Sequence, residues 1–248
     1  MSWMIDLFSP NDLLLIAGVV FLAMLVQSLT GFGSGLVSMP LLIAIIGLKD
    51  AVSFMAVLGL FFDLVLFLHY RNAINLVVVL KLSIPALVSI PLGVVGLRVF
   101  NEGVMLSALG FIVIGYAIYG LLNFRVPKLK SSFWAYGSGF LGGLIGGAYN
   151  IPGPPVIIYA DSQRWPIDEF KGNLQGFFLV IFSVAVISHG IAQNLSPSVF
   201  INSFLVLPTL LLGYWAGIRL EKKLNPIQFR KAVLFLLLVI GTRLIFFS

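Results

Sequence analysis

Two helix-breaking segments interrupt a chain that is otherwise soluble in lipid. The first is Gly31-Phe32-Gly33-Ser34-Gly35, with Pro40 behind it. The second, Asn150-Ile151-Pro152-Gly153-Pro154-Pro155, begins about 120 residues later. A bilayer penalises backbone that cannot pair its own polar groups, so such breaks persist only where protein or a water-lined cavity surrounds them. Broken helices at matching places in two halves of a chain point to a transport site.

The surrounding sequence establishes the solvent. It is 60% hydrophobic and 10% charged, and its mean hydropathy is +1.09. Apolar stretches of membrane-spanning length recur from end to end, which implies a polytopic membrane protein. The formal charge of +6 reflects basic loops and not nucleic-acid binding, because Lys and Arg collect in cytoplasmic loops of such proteins. With no cysteine, disulfides and thiolate metal sites are excluded. No metal site or cofactor is expected. The start, 1–12, carries Asp6 and Asp12 without Lys or Arg, so it lacks the positive region of a cleavable signal peptide.

The chain repeats itself. Asp50 pairs with Glu169, His69 with His189, Asn75-Leu76 with Asn194-Leu195, and Gly96-Leu97-Arg98 with Gly217-Ile218-Arg219, all at one offset of about 120. This divides the chain into transmembrane repeats at 1–124 and 133–248, joined by a cytoplasmic linker at 125–132. Apolar segments are expected at 12–30, 36–47, 50–69, 75–99 and 104–123 in the first half. The second half matches them with 134–148, 154–161, 169–192, 198–219 and 227–247.

Each broken segment either crosses the membrane once or turns back as a hairpin. If both turn back, one face collects Arg71, Arg125, Lys128, Lys130, Arg164, Lys171, Arg219, Lys222, Lys223, Arg230 and Lys231. The other keeps Lys49, Arg98 and Arg243. A single crossing spreads the charges more evenly, so the hairpin agrees better with the positive-inside bias. Three further spans per half then make the repeats inverted, with the termini opposite the basic loops. The expected fold is therefore all-α: two inverted transmembrane repeats, each with a broken, re-entrant hairpin near the midplane, in the cell or inner membrane.

A helix that starts inside the membrane offers unpaired N–H groups and partial positive charge to an anion, with no Lys or Arg needed. Gly33 and Gly35 permit close approach, and Ser34 can cap the helix or bind an oxyanion. Pro154 and Pro155 suit a helix's opening turn, where Asn150 and Gly153 supply polar contacts. Gly18, Gly59, Gly110 and Gly143 read instead as helix-packing residues.

The run at 31–40, Gly-Phe-Gly-Ser-Gly-Leu-Val-Ser-Met-Pro, resembles the glycine motif of the TauE/SafE sulfite exporter family. Residues 146–159, Gly-Gly-Ala-Tyr-Asn-Ile-Pro-Gly-Pro-Pro-Val-Ile-Ile-Tyr, resemble its second-half partner. Asp50 and Phe170-Lys171 fit as well, whereas Ser34 departs from a position where glycine is frequent. The resemblance implies a multi-pass transporter of small, often sulfur-containing anions such as sulfite or organosulfonates.

The substrate-binding candidates are thus Gly31, Phe32, Gly33, Ser34, Gly35, Asn150, Ile151, Gly153 and Pro154, joined by Gln27, Tyr159, Asn173 and Gln175. Tyr159 alternatively sits in the aromatic belt, and the three amides alternatively bond helix to helix. Asp63 is an intramembrane carboxylate, which either carries a coupling proton or pairs with Lys81 or a polar cavity. His69 and His189 read as interfacial, with gating as the alternative. Arg98 and Arg219 read as snorkelling anchors. The partners expected are a small anion, the bilayer, and H+ or Na+ as coupling ion. An anion channel is the second reading. An intramembrane enzyme lacks a nucleophile, base and orienter, and no phosphate-binding Gly-x4-Gly-Lys-Ser/Thr loop is present.

Overall fold

The computed structural model describes residues 8–246 except 123, 125, 222, 224 and 225, so Arg125 and Lys222 of the charge count lie outside the described residues. The described chain is all-helical: α1 (Pro10–Thr30), α2 (Ser34–Ile46), α3 (Leu48–Tyr70), α4 (Leu76–Val99), α5 (Glu102–Leu121), α6 (Ser132–Tyr149), α7 (Gly153–Gln163), α8 (Ile167–Ile191), α9 (Pro197–Glu221) and α10 (Pro226–Phe246). Six stretches, α1, Leu48–Ala73, α4, α5, α8 and α9, are long and apolar enough to cross a bilayer.

Helix starts follow local chemistry. The Ser9, Asn75, Asn101 and Ser131 side chains accept N–H bonds from the first turns of α1, α4, α5 and α6. Internal prolines at 40, 85, 91 and 208 are carried without ending the helices.

Helix directions follow from contacts made at two levels. Gly213 of α9 meets Phe21 and Met24, while Gly217 meets Leu25 and Ser28, so α1 runs parallel to α9. Phe61 stacks on Phe204 and His69 bonds Tyr214, so α3 is parallel to α9 too. Since α1 and α3 run the same way, α2 must carry the chain back between them.

The second half obeys the same logic. Gly139, Gly143 and Gly147 of α6 lie on the α4 backbone at Leu82, Ala86 and Ile90, a small-residue stripe that brings parallel helices close. Gly172 and Gly176 of α8 lie against Ala73 and Val79, so α8 follows α4 as well. Therefore α7 returns the chain. Its last residue, Gln163, donates from Nε2 to the Leu129 carbonyl (2.8 Å), just before α6 begins. Both breaks are hairpins.

Two helix pairs, α3 with α8 and α5 with α10, run antiparallel. Tyr70 of α3 meets Lys171 of α8, and Gly59 meets Phe182. Gly120 of α5 meets Leu234 of α10, and Gly110 meets Ile245. Gly59, Gly110 and Gly143 pack helices as expected. Gly18 does not: it is exposed and a β-carbon there would meet nothing.

Candidate substrate site

The first break is made by two glycines in the left-handed region. Gly31 (φ 84°) ends α1, its N–H bonded to the Gln27 carbonyl at 2.7 Å. Gly33 (φ 98°) then opens α2 with no side-chain cap. Ser34 is thus the first helical residue and not the cap, which corrects one expectation: with Gly33 at the capping position, no hydroxyl covers the N–H groups of this helix start. The second break is made by Asn150 (φ 53°), a left-handed residue ending α6, and by Gly153, Pro154 and Pro155 opening α7. Asparagine tolerates this backbone better than most residues.

The breaks meet. A β-carbon on Gly35 would overlap the Asn150 carbonyl oxygen. Around this contact lies a small cavity of about 20 Å³, lined by Gln27, Gly33, Ser34, Gly35, Asp63, Asn150, Ile151, Gly153, Phe178 and Phe182 among others. It lies level with Phe178 and Phe182, near the middle of α8.

A buried polar network borders it. Gln27 Nε2 donates to Asp63 Oδ1 (2.5 Å) and to Gln175 Oε1 (3.2 Å), and Gln175 Nε2 donates to the Gly31 carbonyl (2.7 Å). Asn150 Nδ2 donates to the Val52 carbonyl (2.6 Å). Gln27 Oε1, Asp63 Oδ2 and Asn150 Oδ1 are left without a partner among the described residues. Asp63 does not pair with Lys81, whose Nζ donates to Ser132 Oγ instead (3.0 Å).

Other predicted residues stand elsewhere. Phe32 is buried edge-on to Tyr116 and Phe170, beside the cavity wall. Pro154 is buried at the first turn of α7. Tyr159 stacks on Trp165 (6.0 Å) and does not line the central cavity. Asn173 Oδ1 accepts the Asn75 N–H (2.7 Å), tying α8 to the start of α4. His69 is exposed and bonds Tyr214 (2.9 Å), as befits a boundary residue. His189, in the last turn of α8, is fully buried against Asn194 (3.1 Å), because the loop after α8 folds over the helix end. Arg219 lies over the Trp215 ring (3.6 Å) and Arg98 reaches Asn194 (3.4 Å).

Two larger cavities flank the small one. One, of about 380 Å³, is lined by Phe32, Trp165, Phe170, Lys171, Glu221 and neighbours at the C-terminal end of α3. The other, of about 620 Å³, is lined by Lys49, Asp50, Arg98, Glu102, His189 and Asn194 at its N-terminal end. The two lie toward opposite ends of α3, whose 23 residues rise about 35 Å.

Sequence reasoning passed over Lys171. Its buried ammonium bonds Glu221 (2.6 Å), the Ser28 carbonyl (3.1 Å) and the Tyr70 hydroxyl (3.2 Å), tying α8 to α9, α1 and α3. Its stem lies against Gly31 at the first break. A signal was available: counted from the Asp50–Glu169 pair, the repeat position of Lys171 holds Val52. A cation unmatched by the repeat is a candidate for a unique role.

No curated protein and no solved structure gives a significant match. The family description "Sulfite exporter TauE/SafE" matches residues 16–244, a span that includes both breaks, all three cavities and nearly every helix. The chain belongs to the sulfite exporter TauE/SafE family.

Proposed function

We propose that the protein is a secondary transporter that carries small, sulfur-containing anions such as sulfite or an organosulfonate by alternating access. The two hairpins are inverted copies and hold the anion where they touch. The observation carrying this reading is the convergence of both breaks on one small cavity, with a larger cavity toward either end of α3. The uncapped start of α2 directs N–H groups and partial positive charge toward the bound anion.

The small size of the central cavity favours a carrier over a channel. A cavity of about 20 Å³ has room for a water and not for an oxyanion. Substrate therefore enters only when a hairpin moves relative to its neighbours. Arg71, Lys128, Lys130, Arg164 and Arg219 sit at the end of the bundle where α3 finishes, and Lys49, Arg98 and Arg243 at the other. The positive-inside bias makes the first end cytoplasmic.

The test is flux of labelled sulfite into vesicles containing the purified protein. A carrier gives saturable, trans-stimulated flux, whereas large unitary currents would replace it with the channel. In Gly153→Val the new β-carbon meets the flexible end of Ile157 and touches the Phe178 ring, which narrows the cavity, and thermal unfolding of the variant checks that it is folded. Normal flux in this variant would remove the site from the hairpin contact.

A further inference from the structure

The unpartnered side-chain atoms of the central cavity are all acceptors. Gln27 Nε2 is committed to two oxygens and Asn150 Nδ2 to the Val52 carbonyl, which fixes both amide orientations. What faces no partner is oxygen: Gln27 Oε1, Asp63 Oδ2 and Asn150 Oδ1, on residues at most 1% exposed. Oxygens do not attract an anion. Left bare, each costs about 1–3 kcal/mol, and more for a carboxylate.

Asp63 is the one ionisable residue lining this cavity, and no basic side chain lines it. Lys81 is held by Ser132 and Lys171 by Glu221. An ionised Asp63 would therefore repel an anion at Gly33–Gly35 unless a cation neutralised it. The free volume admits one small ion. Carboxylate and amide oxygens suit a hard cation, and a single carboxylate suits a monovalent one. No group of three His, Cys, Asp or Glu residues able to hold a metal occurs among the described residues.

We infer that Asp63, Gln27 and Asn150 form a sodium site beside the anion position, and that its occupancy is the condition for anion binding. The inference rests on the carrier reading above and supplies its coupling. One hairpin tip offers N–H groups to the anion, and the other tip, through Asn150, offers oxygen to the cation. Each ion lowers the cost of burying the other, so the two move together.

The experiment uses the full chain purified in detergent and titrated with NaCl against choline chloride at constant ionic strength. Sodium at ten times its Kd should raise the unfolding midpoint by about 4 °C, and the rise should continue with the logarithm of its concentration. Asp63→Asn keeps the shape of the side chain and should lose that rise. In vesicles, an inward sodium gradient at equal pH should concentrate labelled sulfite, and Asp63→Asn should abolish the dependence. Flux driven by a pH gradient and indifferent to sodium overturns the proposal in favour of a proton on Asp63. A wild-type midpoint and flux indifferent to both ions overturn it in favour of a bound water. Should Asp63→Asn fail to fold, the wild-type titration alone decides. Because the midpoint is read without flux, a sodium shift survives even if Gly153→Val shows that the anion travels elsewhere.

Discussion

The carbonyl oxygen of Asn150 occupies the space that a β-carbon on Gly35 would need. Two residues from opposite halves of the chain thus define one contact, and the obstacle is backbone, which cannot swing aside. Gly35→Ala should force the hairpin tips apart and cost about 2 kcal/mol or more in chemical unfolding. Gly18→Ala is the control: nothing approaches that position and alanine favours helix, so it should gain up to about 1 kcal/mol. Equal behaviour of the two variants would mean that the tips do not touch.

Glu221→Gln should destabilise the protein by about 3 kcal/mol, because it strands a buried ammonium. The value lies at the low end for a broken buried pair, since the Ser28 and Tyr70 oxygens remain and Glu221 is partly exposed. Lys171→Met combined with Glu221→Leu should recover most of the loss. Thermal unfolding of the three variants checks this, and a double variant no better than the single one would show that the pair's worth is not electrostatic.

Asn173 serves structure in this arrangement. Asn173→Ala leaves the Asn75 N–H without its side-chain acceptor and should lower stability by about 1–2 kcal/mol. The KM for sulfite should stay at the wild-type value. A raised KM with unchanged stability would return Asn173 to the substrate site.

The antiparallel register of α3 and α8 sets the Phe182 ring where a β-carbon on Gly59 would go. Gly59→Ala should therefore cost about 1–3 kcal/mol, and adding Phe182→Leu should restore much of it. Because Phe182 also lines the central cavity, the double variant should accept larger anions in a competition assay. Additive losses would place the two residues apart.

The helices themselves were legible in sequence, with most ends displaced by one or two residues, because apolar length and the Gly and Pro breaks are local properties. The turn-back at each break was legible through charge, since Lys and Arg report which end of a helix meets the aqueous phase. Contacts between distant helices were not. Nothing along the chain says that Gln27 meets Asp63, because Gln27 sits on α1 and Asp63 on α3 and both look like isolated polar residues in apolar runs. His189 shows a related gap: its place at a helix end was legible, but not that the following loop covers it. Gly18 shows the converse, a small residue in a spanning helix with no neighbour to admit.

The return arm α7 has consequences for how the protein is made. It is eleven residues long and contains Asp161, so it is too short and too polar to enter lipid unaided from a ribosome. Its stable position is against α6 and α8, on a surface that exists only once α8 has been synthesised. The arm must therefore wait at the membrane surface and dock late. The element that completes the contact between the hairpins is then set in place only after α8, so the middle of the bundle takes its final form late in assembly.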